Sequence, residues 1–114
     1  MGYSQLKRSY PRGCKGSREM HANYVTVDAG TKSMGLDGDS PTVSVGAPKE
    51  SVYSCSGDEH GQLRFIGESE SLGIGKRVEL TVPHCDTTFN LYDFIHCVRG
   101  DELVDIWRID GRGY

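Results

Sequence analysis

The sequence predicts one mainly β domain, built as a small barrel or sandwich, and three observations support this fold class. The 114 residues are the length of one ordinary domain. Fifteen of them are glycine, and the many Val, Thr, Ser and Tyr residues favour short strands and tight turns over helices. Several segments also alternate between apolar and polar residues, which is the period of a half-buried strand. A single β core is therefore expected.

The predicted strands all lie between residue 23 and the carboxyl terminus. Alternation or β-rich composition marks them at residues 24–28, 42–45, 52–56, 62–66, 77–82 and 102–109. Residues 90–98 are predicted as a strand, or as a short helix followed by a strand. The phase of residues 102–109 stays open. Four aromatic residues are expected in the core: Phe65, Tyr92, Phe94 and Trp107.

Residues 1–22 differ from the remainder of the chain. They contain five Lys or Arg residues and one Glu, they lack apolar periodicity, and Pro11, Gly13 and Gly16 interrupt any regular element. We predict an irregular basic tail over 1–22 and a β-domain over 23–114. A basic arm that binds phosphate is the alternative interpretation of the tail.

Charge and composition exclude several classes of function. A net charge of -3 and a pI of about 5.7 argue against a nucleic-acid partner. No stretch approaches the roughly 18 apolar residues of a membrane span, and the amino terminus lacks the apolar core of a secretion signal. A cytoplasmic protein without a membrane partner is expected. The four widely spaced cysteines are expected to be free thiols.

One short segment has the residue types of a metal site. His84 and Asp86 flank Cys85, and in an extended segment alternate side chains project from the same face. An imidazole and a carboxylate suit a divalent ion such as zinc or manganese, and they leave positions for water or substrate. If Pro83 bends the strand, Cys85 is the alternative ligand. The plainer alternative is a histidine at a strand end and an Asp86 that begins a turn.

A second group of ionisable residues lies in the predicted connection at residues 57–61. Asp58, Glu59 and His60 follow one predicted strand and precede the next, so they lie at an end of the sheet. Turn residues are the simple interpretation of all three. Their presence at a strand end, like that of His84 and Asp86, allows the two groups to converge.

Three sequence blocks carry a family resemblance. In order they are VTVDAGTKSMGLDGDSP, SGDEHGQL and GIGKRVELTVPHCDTTFNLYDFIHCVRGDELVDIWRIDGRG. Over about residues 23–113 they resemble the carboxy-terminal domain of the D-threonine aldolase and D-serine dehydratase family. The most specific part is the proline-histidine-x-acid segment that begins at Pro83, followed by Asn90 and by the ending from Trp107 to Gly113.

The resemblance implies a fold of the alanine racemase type, in which a β/α barrel binds pyridoxal phosphate through a lysine and a β-domain closes the site. Such a barrel takes about 250 residues, so only the β-domain is expected here. Lys32 is expected to be a turn or surface lysine, and no residue of this chain is expected to bind pyridoxal phosphate. H-x-D is typical of the family's manganese-type aldolases and H-x-C of its zinc dehydratases, so the resemblance implies that His84 and Asp86 are metal ligands.

The implied function is that of a metal-binding domain from a lyase that cleaves D-3-hydroxy amino acids by a retro-aldol reaction. A zinc-containing D-serine dehydratase-like domain and a non-catalytic β interaction module are the alternatives. Asp58 and His60 are expected to support the ligands or face the substrate. The intact enzyme is expected to be a homodimer, the isolated chain to be inactive, and the face that packs on the missing barrel to be apolar and prone to self-association.

Overall fold

Eight strands and one short helix make up the part of the chain that the computed structural model describes, residues 4–10, 22–48, 50–66, 72 and 75–113. Residues 4–10, 22, 23 and 66 are described by their backbone alone. In chain order the elements are β1 Ser4–Tyr10, β2 Ala22–Val27, β3 Thr42–Val45, β4 Val52–Cys55, β5 Gly61–Ile66, β6 Arg77–Thr81, α1 Cys85–Phe89, β7 Phe94–Arg99 and β8 Glu102–Arg108.

The first six strands form a closed antiparallel barrel in the order β1-β2-β5-β4-β3-β6. Strand β6 closes it, because Leu80 pairs with Gln5 of β1 on one side and with Val43 of β3 on the other. The predicted connection at residues 57–61 does join antiparallel strands, since β4 and β5 pair from Val52 opposite Arg64 to Cys55 opposite Gly61. The mainly β fold is confirmed.

The barrel interior is filled by alternate residues of its strands. Val25 and Val27 of β2, Leu63 of β5 and Val78 and Leu80 of β6 are each 1% exposed or less. The alternation predicted for residues 77–82 is therefore confirmed, because Val82 joins the same buried cluster. Burying such side chains contributes about 1.5–3 kcal/mol each.

Tyr53 of β4 links the barrel to the segment that follows β2. Its buried hydroxyl donates a hydrogen bond of 2.6 Å to the carbonyl oxygen of Ala29. Gly61 lies against the Tyr53 ring, where a Cβ atom would overlap both the ring and the Ala29 carbonyl. Burial raises the pKa of Tyr53 to about 12. The end of β2 is thereby fixed to β4 and β5.

The structure differs from the prediction for the basic segment. Residues 4–10 form β1, which pairs with β6 over Ser4 to Arg8 and with β2 at Ser9 and Tyr10. The prediction of an irregular tail is wrong for these seven residues and for Ala22, which begins β2, because barrel closure supplies hydrogen-bond partners that composition does not indicate. The remainder of that prediction, residues 1–3 and 11–21, lies outside the described residues.

Two local predictions near the carboxyl terminus are also wrong. Residues 85–89 form the helix α1 instead of continuing an extended segment, and this helix precedes the 90–98 stretch in which one was considered. Phe94 and Trp107 are 54% and 52% exposed, not in the core. They lie on the hairpin of β7 and β8, which forms a separate two-stranded sheet. Phe65, in contrast, is buried as predicted.

The three described cysteines, Cys55, Cys85 and Cys97, are free thiols, as the sequence predicts. Cys14 lies outside the described residues. In the described ranges no helix has the length and apolar character needed to cross a membrane.

Candidate metal site

His84 and Asp86 lie side by side where β6 leads into α1. His84 is the N-cap residue of α1 and has an extended backbone, with φ -137° and ψ 115°, whereas Asp86 lies in the first helical turn. The local structure is thus a helical turn, yet His84 Nε2 and Asp86 Oδ2 are only 3.8 Å apart. Their side chains are 48% and 91% exposed. Both candidate ligands are therefore exposed side chains.

This separation is compatible with two ligands of one ion. Bonds from zinc to imidazole nitrogen or carboxylate oxygen measure about 2.0–2.2 Å, so two such ligand atoms can be at most about 4.3 Å apart. A neutral imidazole with an accessible nitrogen and an ionised carboxylate are also a donor set that zinc and manganese accept. The residues present therefore fit a divalent metal ion.

The other nitrogen of the His84 ring is held by Asp37. His84 Nδ1 and Asp37 Oδ2 are 2.7 Å apart, and the second Asp37 oxygen accepts a hydrogen bond of 2.6 Å from the Thr87 hydroxyl. The hydrogen bonds from Thr87 and His84 lower the pKa of Asp37 below its usual value. The hydrogen bond and the charge of Asp37 raise the pKa of His84. Asp37 therefore stays ionised and accepts a hydrogen bond from the Nδ1–H group of His84.

The segment at residues 29–37, named here the anchor segment, fixes α1 to the barrel. The backbone N–H of Gly35 donates to Thr88 Oγ1 at 3.0 Å, and the Thr88 hydroxyl donates to the carbonyl oxygen of His84 at 2.8 Å. The Tyr92 hydroxyl donates to the carbonyl of Ser33 at 2.5 Å. A Cβ atom at Gly35 would overlap the Thr87 side chain. The close approach thus requires glycine at that position.

The Asp58–His60 connection is attached to the same anchor segment. Thr31 and Lys32 donate backbone hydrogen bonds to the carbonyls of Gly57 and Asp58, at 3.1 and 3.0 Å. The Thr31 hydroxyl donates to Asp58 Oδ1 at 3.0 Å, and Lys32 forms an ion pair of 2.6 Å with Glu59. Lys32 is thus a surface lysine, as expected. One short segment positions both groups of candidate residues.

Cys85 is placed differently from its two neighbours. It is half-buried and packs against the barrel core, while His84 and Asp86 face solvent. Among the described residues no cluster of three or more His, Cys, Asp or Glu side chains has the arrangement of a complete metal site. In the described part of the chain, His84 and Asp86 are thus a pair of candidate ligands. The other coordination positions of an ion would be left to water or substrate.

A pocket of about 260 Å³ adjoins this pair and is lined by Asp86, Thr87, Asn90 and Gly111. Its outer wall is the carboxy-terminal segment, which returns to α1 because the N–H of Gly113 donates to Asn90 Oδ1 at 2.5 Å. Arg112 pairs with Asp93 beside it. Asn90 thus holds the carboxy-terminal segment beside α1.

Comparison with known proteins identifies the family. The sequence model described as "Putative serine dehydratase domain" matches residues 16–98. The chain belongs to this family. It is 36% identical over 90 residues to a D-threonine aldolase of Arthrobacter sp, and the matched region covers 79% of this chain and 23% of the relative. It is 32% identical over 91 residues to a 3-hydroxy-D-aspartate aldolase of Paracoccus denitrificans, which covers 80% of this chain and 22% of the relative.

The fold is also shared with a solved relative. The crystal structure of D-threonine aldolase from Filomicrobium marinum superposes with a TM-score of 0.72 at 25% identity, covering 92% of this chain and 27% of that one. The resemblance found in the sequence is confirmed. The chain spans about a quarter of the length of these relatives.

Asp37 is the residue of the site that sequence reasoning missed. It lies in a stretch rich in Gly and Asp, at residues 32–41, where a loop is the natural interpretation. Asp28 and Asp39 lie on either side of it in the sequence and have the same carboxylate group, so residue type does not distinguish the three. Only the fold of the anchor segment selects Asp37, 47 residues before His84.

Proposed function

We propose that this chain is the metal-binding domain of a pyridoxal-phosphate-dependent lyase that cleaves D-3-hydroxy amino acids by a retro-aldol reaction. The observation that carries the proposal is the pairing of His84 Nε2 with Asp86 Oδ2 at 3.8 Å on an accessible surface. Kinship with aldolases of D-3-hydroxy amino acids supports the substrate class. In the intact enzyme, a separate barrel domain would bind pyridoxal phosphate, and the active form would be a homodimer.

His84 and Asp86 would hold the divalent ion, manganese or zinc, through one nitrogen and one carboxylate oxygen. When bound, the metal would supply a Lewis acid that acidifies the substrate hydroxyl, and pyridoxal phosphate would supply the electron sink for the broken bond. The role of this chain would be to bind the metal ion and to orient the two ligands. Asp86 contributes negative charge that favours the cation, and α1 fixes the spacing of the two ligands.

The aldolase form is favoured over the dehydratase form by the identity and packing of the segment. An acidic residue, Asp86, stands where the family resemblance implies a cysteine for the zinc dehydratases. Among the described residues the thiol next to this pair in sequence, Cys85, packs against the core cluster. A carboxylate and an imidazole accept manganese as well as zinc, whereas a thiolate selects zinc. A zinc-containing, dehydratase-like domain is therefore the second candidate function.

Asp58 and His60 are proposed to face the substrate or to support the metal ligands from the neighbouring connection. Both are exposed, and the anchor segment holds their loop through the carbonyls of Gly57 and Asp58. Asp58 already accepts a hydrogen bond from Thr31. Substituting His60 by Ala in the intact enzyme should lower kcat more than metal affinity.

Metal titration tests the ligand assignment. Calorimetric titrations with Mn²⁺ and Zn²⁺ should give one site in the wild-type chain, weakened at least about tenfold by His84→Ala and by Asp86→Ala. His96→Ala is the matched control, because His96 is an exposed histidine on the hairpin. If neither ligand substitution changes the affinity, the assignment is wrong.

Activity assays separate the domain from the enzyme. The isolated chain with added pyridoxal phosphate and Mn²⁺ should not release glycine from D-threonine, because the residues that bind the cofactor belong to another domain. Turnover by the isolated chain would overturn this part of the proposal. A stable monomer that binds neither Mn²⁺ nor Zn²⁺ would instead support the alternative of a β interaction module.

A further inference from the structure

The ring of His84 has two nitrogens with different surroundings. Nε2 is on the side of Asp86, at 3.8 Å from its carboxylate, and Nδ1 is 2.7 Å from Asp37 Oδ2. An ionised carboxylate can only accept a hydrogen bond. A neutral His84 must therefore carry its proton on Nδ1, which leaves the lone pair of Nε2 directed away from Asp37.

Asp37 is itself oriented by a second contact. Its Oδ1 accepts a hydrogen bond of 2.6 Å from the Thr87 hydroxyl, while Oδ2 accepts a hydrogen bond from His84 Nδ1. Thr87 is the residue between Asp86 and the buried Thr88, so the same helical turn that carries one proposed ligand also orients the carboxylate behind the other. Both oxygens of Asp37 are engaged, which makes Asp37 a poor third metal ligand.

Stability does not explain this arrangement. The Asp37 and His84 side chains are 49% and 48% exposed, and ion pairs at exposed positions add little to folding. Asp37 and His84 are also 47 residues apart in the sequence, and the contact of Asp37 with the imidazole ring involves one ring atom. Its effect is on the direction and the protonation of the imidazole.

We infer that Asp37 is a positioning residue that fixes His84 in the Nδ1–H tautomer with Nε2 presented beside Asp86, and that Thr87 holds Asp37 in place. This inference rests on the proposed metal-binding function for its purpose, though not for its geometry. A carboxylate in contact with the outer nitrogen of a metal-binding histidine fixes the ring and raises its basicity as a ligand. The site is thereby prepared before any ion arrives.

Two measurements on the full chain test the inference. Long-range ¹H–¹⁵N spectra, recorded without metal at a pH where the histidines are neutral, report which nitrogen of each ring carries the proton. Wild-type His84 should show the Nδ1–H form, and Asp37→Ala should shift it toward Nε2–H. Titration with Mn²⁺ should show about a 10–100-fold weaker affinity for Asp37→Ala and a smaller loss for Thr87→Val.

Asp39→Ala is the matched control, because it removes a neighbouring exposed carboxylate and the same unit of charge. It should leave both the tautomer and the affinity within about twofold of the wild type. Asp37→Asn, which keeps an acceptor oxygen, should recover part of the affinity lost in Asp37→Ala.

The outcomes separate this inference from the proposed function. An Nε2–H tautomer in the wild type, or an unchanged tautomer in Asp37→Ala, overturns the positioning role. The same holds if the wild type binds Mn²⁺ and Asp37→Ala binds it with equal affinity. If the wild type has the Nδ1–H form and Asp37→Ala loses it, but neither binds Mn²⁺, the geometric part of the inference holds and the proposed metal function fails.

Discussion

The barrel has a core of buried apolar side chains, whereas the β7–β8 hairpin exposes most of its large apolar side chains to solvent. In the barrel, Val25, Leu63 and Leu80 are at most 1% exposed. The hairpin, in contrast, has six large apolar side chains that are 46–54% exposed: Phe94, Val98, Leu103, Val104, Ile106 and Trp107. A closed barrel encloses its own core, whereas a two-stranded sheet has no second layer unless another surface supplies one. The barrel is therefore expected to determine stability, and the hairpin to determine association.

Core truncation should show the largest difference between the two regions. Leu63→Ala is expected to lower the free energy of unfolding by about 2–5 kcal/mol, because it removes buried methyl groups and leaves a cavity. Ile106→Ala, on the half-exposed hairpin, should cost less than about 1 kcal/mol. Guanidinium denaturation of both variants measures the contrast. Equal losses would mean that the hairpin is buried in solution.

Contact between the anchor segment and α1 should be the next most sensitive feature. Gly35→Ala places a Cβ atom against Thr87, and we expect it to cost about 1–3 kcal/mol through overpacking and to weaken Mn²⁺ binding. Gly111→Ala is the control for stability, since a Cβ atom there meets no heavy atom within 4 Å. Wild-type stability and Mn²⁺ affinity in Gly35→Ala would contradict the proposed role of this contact.

Tyr53 should give a smaller effect with a distinct pH dependence. Tyr53→Phe leaves the buried carbonyl of Ala29 without its hydroxyl partner, which should cost about 1–3 kcal/mol near neutral pH. The folded pKa is raised from 10.0 to about 12, so the unfolded chain loses this proton first. Stability from Tyr53 is thus fully present below about pH 10 and is lost as pH rises through about 12.

Thermal unfolding of wild type and Tyr53→Phe across this range checks the sign. The difference between the two proteins should shrink as the pH rises from neutral toward 12. A constant difference would mean that the hydroxyl titrates alike in the folded and unfolded chains.

Hairpin substitutions should change association more than stability. Exposed apolar surface of this kind favours self-association, so the wild-type chain should form larger species as its concentration rises. Ile106→Ser combined with Val104→Ser should reduce this association in sedimentation velocity, with the free energy of unfolding changed by less than about 1 kcal/mol. A wild-type chain that stays monomeric at high concentration would contradict the prediction.

The same contrast explains what could be predicted from the sequence. Alternation and β-rich composition identified β2 to β6 and β8 within a few residues. In β2, β5 and β6 the alternation has a physical basis, because every second side chain is buried. The phase of β8 could not be determined, since Leu103 and Trp107 on one face and Val104 and Ile106 on the other are all exposed. Strand β1 was missed because its strand character comes from pairing with β6.

Of the candidate site, the sequence predicts that the His84 and Asp86 side chains lie close together, and the structure has them 3.8 Å apart. The spacing alone is a weak signal for a metal site, and the family resemblance is what assigns the two residues as ligands. The proximity is expected from an extended segment, whereas the structure has a helical turn. Asp37 could not be found this way. Its contact with His84 depends on the path of the anchor segment over α1, which is set by long-range hydrogen bonds from Gly35 and Tyr92.

A crystal structure of the chain grown with Mn²⁺, with the ion located by anomalous scattering, tests the central claim most directly. It should show one ion bonded to His84 Nε2 and to a carboxylate oxygen of Asp86, with Asp37 still in contact with Nδ1. An ion held by other side chains, or a His84 ring turned away from Asp86 in the loaded crystal, would contradict it.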